Sequence, residues 1–124
     1  MKNSILKQKA DSLAQKGYFL TDKFPKHEIF GLTSQLRRAL ISVPSNLIEG
    51  YSRNRSKVFA NFLEISYASL AEAKYQMYFA YKREYIKKEE YLDFYKDAEE
   101  VSKMLWASIS TIHNKLNTIC GTEE

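Results

Sequence analysis

Turn-forming residues are scarce in this chain: 124 residues contain four glycines and two prolines. A sheet protein of this size needs more such punctuation, so the scarcity argues against an all-β fold. A single cysteine, Cys120, excludes an internal disulfide and suits a reducing compartment. No apolar run approaches the roughly 20 residues needed to span a bilayer. The polar, lysine-rich start from Met1 to Lys9 has no apolar signal core. These absences predict a cytoplasmic protein with no membrane partner. Histidine is equally sparse. His27 and His113 lie in different parts of the chain, with no cysteine or carboxylate at ligand spacing. A structural zinc site needs about four clustered ligands, so no metal is expected. There is no Gly-rich phosphate loop, nucleophile elbow or H-E-x-x-H pattern. Glu89/Glu90 and Glu99/Glu100 are adjacent pairs that diverge on a helix and read as solvated surface. The chain therefore predicts no catalytic residues, no cofactor and no enzyme. An active site assembled between subunits, from Glu49 or His27 of neighbouring copies, is the competing possibility.

What is abundant is apolar residues at three-to-four spacing, in four blocks. The first is Leu6, Ala10, Leu13, Gly17, Leu20, Phe24, and the second Ile29, Leu32, Leu36, Leu40, Val43, Leu47. The third holds Phe59, Leu63, Leu70 and Met77, with Ser66, Ala73 and Ala80 between them. The fourth runs Leu92, Tyr95, Ala98, Val101, Leu105, Ile109, Ile112, Leu116. Phe24-Pro25 should end the first helix, because a residue before proline resists the α region. Pro25 suits the first turn of the second, which is expected from about His27 to Asn54. Gly50 to Ser56 reads as a connection with Ser56 as N-cap, and Glu84 to Lys88 as the last connection. One domain over residues 1–124 follows, an all-α, antiparallel, up-down-up-down four-helix bundle with its second helix kinked at Pro44.

The second helix carries a polar stripe that a bundle does not need. Gln35, Arg38, Ser42, Asn46, Glu49 and Arg53 fall within roughly an 80° arc at 100° per residue. Pro44 and Gly50 sit in the same helix at a cost of roughly 3 and 1 kcal/mol against alanine. Structurally, Ser45 and Asn46 can bond backbone groups that Pro44 leaves free. Functionally, Arg37, Arg38, Arg53, Arg55 and Lys57, with Tyr51 to stack a base, form a candidate phosphate-and-base surface. Both readings stand on the residues alone.

Helix three is too apolar for one chain. Between Val58 and Tyr81, 17 of 24 residues are apolar or aromatic, against roughly three in seven for a bundle helix. The surplus predicts a subunit interface including Tyr67, Tyr75, Tyr78 and Phe79, unless tyrosine tips are simply wet. Charge is also uneven. Residues 1–88 hold 16 basic and 7 acidic groups, net +9, and residues 89–124 hold 3 and 8, net −5. A basic surface for nucleic acid and ordinary charged solvent faces both fit a total of +4.

The second helix resembles a known family. Its pattern, Leu32-Thr33-Ser34-Gln35-Leu36-Arg37-Arg38-Ala39 followed by Ser42-Val43-Pro44-Ser45-Asn46-Leu47-Ile48-Glu49-Gly50, is similar to that of bacterial four-helix-bundle proteins encoded in 23S ribosomal RNA intervening sequences. Phe62-Leu63, Ser69-Leu70-Ala71-Glu72 and Gln76 continue the likeness, while Leu47-Ile48 and Ala68 depart from it. The resemblance implies a bacterial, cytoplasmic, ring-shaped homopentamer with an RNA connection and no established activity. Five copies would carry a charge near +20, from the +4 of one chain. The remaining alternative is a scaffold that binds a partner protein through its helix faces.

Overall fold

A computed structural model describes the backbone of residues 4–53 and 56–123, and side chains for residues 5–53 and 57–117. The elements among the described residues are four α-helices and one short 3-10 turn, with no strand. We number them α1 (Ser4–Thr21), α2 (Leu32–Arg53), α3 (Ser56–Lys82) and α4 (Lys88–Glu123). The packed pairs are α1/α2, α2/α3, α3/α4 and α1/α4, the pairs of a bundle closed on itself. Cross-helix contacts match rising numbers with falling ones. On α2/α3, Ser42 meets Ser69 and Gly50 meets Phe59. On α3/α4, Tyr67 meets Trp106 and Tyr81 meets Tyr91. The core contains Leu13, Leu36, Leu40, Leu47, Leu63, Leu70, Met77, Phe94 and Leu105.

Several boundaries differ from those the sequence suggests. Pro25 precedes a 3-10 turn at Lys26–Glu28, and α2 begins only at Leu32. The reason is a side-chain cap: Glu28 Oε1 accepts the Leu32 amide at 3.2 Å. Ile29 therefore leaves the apolar face and is exposed, beside an exposed Phe30. Gly50 to Arg53 are helical rather than a connection. Gly50 is buried, and a Cβ there would stand 2.8 Å from Phe59 Cδ1 and 3.0 Å from Phe62 Cβ. Close packing of α3 explains that glycine. Ser56 is the first residue of α3, and its expected capping side chain lies outside the described residues, as does the Cys120 thiol. At the start of α4 the inward residue is Phe94, while Leu92 and Tyr95 are exposed. The α2 helix continues through Pro44 without interruption.

The α3–α4 connection uses no glycine. Glu84 adopts a left-handed φ of 63°. Tyr85 N–H reaches Ala80 O and Glu84 N–H reaches Tyr81 O, both at 2.9 Å. These two bonds make a Schellman stop. The next helix is capped by Glu90, which accepts the Lys87 amide at 2.9 Å. The Tyr85 hydroxyl donates to Glu28 Oε2 at 2.8 Å, so the α1–α2 and α3–α4 turns are tied together.

The uneven charge has an intramolecular partner. Lys9, Lys16 and Lys23, seven residues apart on and just after α1, face acids of α4. Lys9 meets Glu100 at 2.6 Å and Lys16 meets Asp93 at 2.6 Å. Lys16 also meets Asp97, Lys23 meets Glu90, and Lys74 of α3 meets Glu99. Glu90, Glu99 and Glu100 are thus paired with lysines of other elements, not merely solvated.

Hydrogen bonds from Lys23 and the Lys87 amide hold the Glu90 carboxyl below its ordinary value. The Lys74 bond does the same for Glu99, and the Tyr85 and Leu32 bonds for Glu28. A lowered folded-state pKa contributes stability above the unfolded value that disappears as pH falls through the folded one. The thermal midpoint should therefore drop between about pH 5 and about pH 3, and high salt should shrink the exposed pairs' share. A midpoint flat across that window in a thermal melt would show that these pairs contribute nothing.

Candidate interaction surfaces

The polar stripe of α2 divides into three parts with different neighbours. Its middle is internal to the α2/α3 contact. Ser42 Oγ lies 2.8 Å from Ser69 Oγ, and Asn46 Nδ2 donates to Ser42 O and to Ser42 Oγ, each at 2.8 Å. Beside them, the buried Ser66 hydroxyl donates to Val43 O at 2.9 Å. Asn46 thus engages a carbonyl near Pro44, but that of Ser42 rather than the Leu40 carbonyl that the missing Pro44 donor would have used. Ser45 points to solvent.

The lower part is a surface pair: Arg53 reaches Glu49 Oε1 through Nη2 at 2.6 Å and Nε at 3.1 Å. Its guanidinium also lies 5.8 Å from the Phe62 ring centre. The upper part holds Gln35 and Arg38, both exposed; on α3, Gln76 Nε2 donates to Glu72 at 3.1 Å. The Gln76 Oε1 atom is buried and accepts no bond among the described residues.

The four candidate nucleic-acid residues that the structure describes fall into two separate groups. Arg37 is turned onto the end of α1, donating from Nε to Thr21 Oγ1 at 2.8 Å and from Nη2 to Asp22 at 2.7 Å. It also covers the Tyr18 ring at 4.6 Å. Arg38 is exposed near the same end. Sixteen residues separate Arg37 from Arg53, roughly 24 Å along a helix. Arg53 and Lys57 are exposed at the other end of the bundle, and Arg55 lies outside the described residues. Tyr51, expected to stack a base, packs its ring 5.0 Å from Phe59. Its hydroxyl is buried without a partner among the described residues, and burial pushes it up to about 12.

The four candidate interface residues also separate. Tyr75, Tyr78 and Phe79 remain exposed, at 63%, 42% and 41%. They join an aromatic run across α3 and α4: Tyr78 meets Tyr91, Tyr81 stacks on Tyr91 at 5.0 Å, and Tyr91 meets Tyr95. Exposed Leu92 extends the apolar surface of α4. Tyr67 instead pairs with Trp106 at 5.8 Å, further along the bundle. The sequence spacing places Leu92 and Tyr95 inward, whereas both are exposed on the α4 half of this surface. The neighbouring Phe94 was the available signal, since Phe94, Ala98, Val101 and Leu105 repeat at the same spacing.

Among the described residues no group of three or more His, Cys, Asp or Glu could hold a metal ion. His113 is a surface residue, 3.2 Å from Glu64. No helix among the described residues is long and apolar enough to cross a membrane.

Comparison with known proteins places this architecture. Residues 2–107 match the family model described as 23S rRNA-intervening sequence protein. A crystal structure of a protein of unknown function from the S23 ribosomal protein family of Bacteroides thetaiotaomicron superposes with a TM-score of 0.81 at 25% identity. The match covers 89% of this chain and 99% of that one. No curated protein matches the chain.

The bonds at the centre of the stripe make it a structural element. Asn46→Ala removes both bonds to Ser42 and should cost about 1–2 kcal/mol, whereas Ser45→Ala should stay within about 0.5 kcal/mol. Urea unfolding of the two variants checks this, and equal midpoints would refute it.

Proposed function

The chain belongs to the 23S rRNA-intervening sequence protein family, and from that premise we propose that it is a non-enzymatic, self-associating accessory protein that binds RNA. One observation carries the self-association: the exposed aromatic face of Tyr75, Tyr78, Phe79 and Tyr95 with Leu92. Contiguous exposed apolar patches of this kind mark interaction sites. Tyrosine suits such a surface because it buries a large ring while its hydroxyl stays wet. The ring of five is the form the family resemblance implies.

RNA binding follows from repetition of charge. Arg38 and Lys57 are exposed, and Arg53 is more than half exposed despite its bond to Glu49. Each is weak in one copy, but repeated around an axis such contacts gain avidity without new interactions. With Arg37 engaged by Asp22 and Tyr51 packed on Phe59, the remaining contacts are to phosphate, and little sequence preference is expected. The same engagement of Arg37 weakens the RNA reading relative to a second one, a scaffold that binds a partner protein through its helix faces.

Light scattering at micromolar concentration should return a multiple of the 14.5 kDa chain mass. A Tyr78→Glu/Phe79→Glu double variant should be a folded monomer, and a wild-type monomer would refute self-association. For RNA, log affinity should fall with log salt at about −0.7 per phosphate contacted. Changing Arg53, Arg55 and Lys57 to Glu should abolish binding while leaving the oligomer intact. Unchanged binding at low salt would exclude this surface. Capture from the native host with and without ribonuclease separates the RNA reading from the partner-protein one.

A further inference from the structure

A groove between α3 and α4 lies apart from the α2 stripe and from the Tyr75–Tyr95 face. Its volume is about 410 Å³, and Glu64, Tyr67, Trp106, Ile109 and His113 are among its lining residues. Ile109 is buried and forms an apolar wall. Trp106 is 58% exposed, with the Tyr67 ring 5.8 Å away and tilted by 47°. Both rings line the groove, and more than half of Trp106 stays open there. Glu64 supplies a carboxylate, its side chain half exposed and 3.2 Å from His113 Nε2. Among the described residues no lysine or arginine lines the groove.

We propose that this groove binds an organic cation, an alkylguanidinium or alkylammonium group. Aromatic faces attract cations through the ring quadrupole, tryptophan most strongly. A carboxylate beside them adds a charge-assisted hydrogen bond that a guanidinium can satisfy. The same carboxylate repels phosphate, so the groove does not extend the RNA surface. The volume suits one side chain or a small amine and is too small for a folded domain. His113 is the internal competitor: its Nε2 already lies 3.2 Å from the Glu64 carboxylate within the chain. The cation has two possible sources, a free amine or guanidine and a lysine or arginine of another copy. The chemistry is common to both.

Trp106 is the only tryptophan in the chain, so its emission reports this groove alone. The full chain is titrated with arginine amide, with sodium chloride balancing the ionic strength. A saturating change with a midpoint near about 1 mM is expected, as for a single-group ligand. In Glu64→Gln the midpoint should weaken roughly ten-fold. In His113→Gln, which removes the competitor and keeps the carboxylate, binding should be retained or tighter. Circular dichroism checks the fold of each variant, and Trp106→Leu followed by calorimetry should lose the heat of binding. A non-saturating response, or a midpoint unchanged in Glu64→Gln, overturns the proposal. Light scattering during the titration identifies the source. A falling mass means that arginine amide displaces a neighbour's side chain, and a constant mass means that the site takes a free cation. Neither result depends on RNA binding.

Discussion

The close approach of α2 and α3 is the constraint on which the rest of this bundle depends. Two helices come near enough for Ser42 to touch Ser69 and for the Ser66 hydroxyl to reach the Val43 carbonyl. The residue types that allow it are small or absent side chains. Gly50 lies under Phe59 and Phe62, where even a methyl group would collide. Gly17 does the same on α1, where a Cβ would fall 2.1 Å from Leu40 Cδ1. On α3 the positions turned inward are Leu70, Ala73, Met77 and Ala80, so the helical repeat leaves Tyr75, Tyr78 and Phe79 between them on the outside.

This explains the pattern of motif residues on α2. Ser42 and Asn46 act at the contact with α3, and Gly50 permits that contact. Pro44 lies between them in an unbroken helix, next to the carbonyl that Ser66 bonds. Polar groups at such a contact need partners, and here they find them in each other. A run that reads as a recognition surface is, in its middle, a packing device.

The four helices were legible because apolar spacing over 18 or more residues is a strong signal that neighbouring elements do not contradict. The core of α3, from Leu63 through Leu70 to Met77, lies where the spacing placed it. Boundaries were less legible where a side chain from elsewhere makes the stop. Glu28 caps α2 from the preceding 3-10 turn, and Glu84 takes a left-handed turn that glycine would normally mark. Neither has a local signature. The candidate surfaces were legible as composition but not as grouping. Nothing in the order of residues says that Arg37 bends back to Asp22, or that Tyr67 leaves the other tyrosines for Trp106. The lysines at seven-residue spacing and the acids of α4 were visible separately. Their meaning needed the pairing of the first helix with the last.

That pairing has a consequence for synthesis. The partners of Lys9, Lys16 and Lys23 lie 91, 77 and 67 residues further along the chain, at Glu100, Asp93 and Glu90. A chain emerging at about 5–20 residues per second exposes α1 for several seconds before any of those acids is available. During that interval α1 has only α2 to cover its apolar stripe, and its lysines face an environment rich in polyanions. Closure of the bundle is therefore tied to completion of α4, and the nascent chain carries a more basic surface than the finished one.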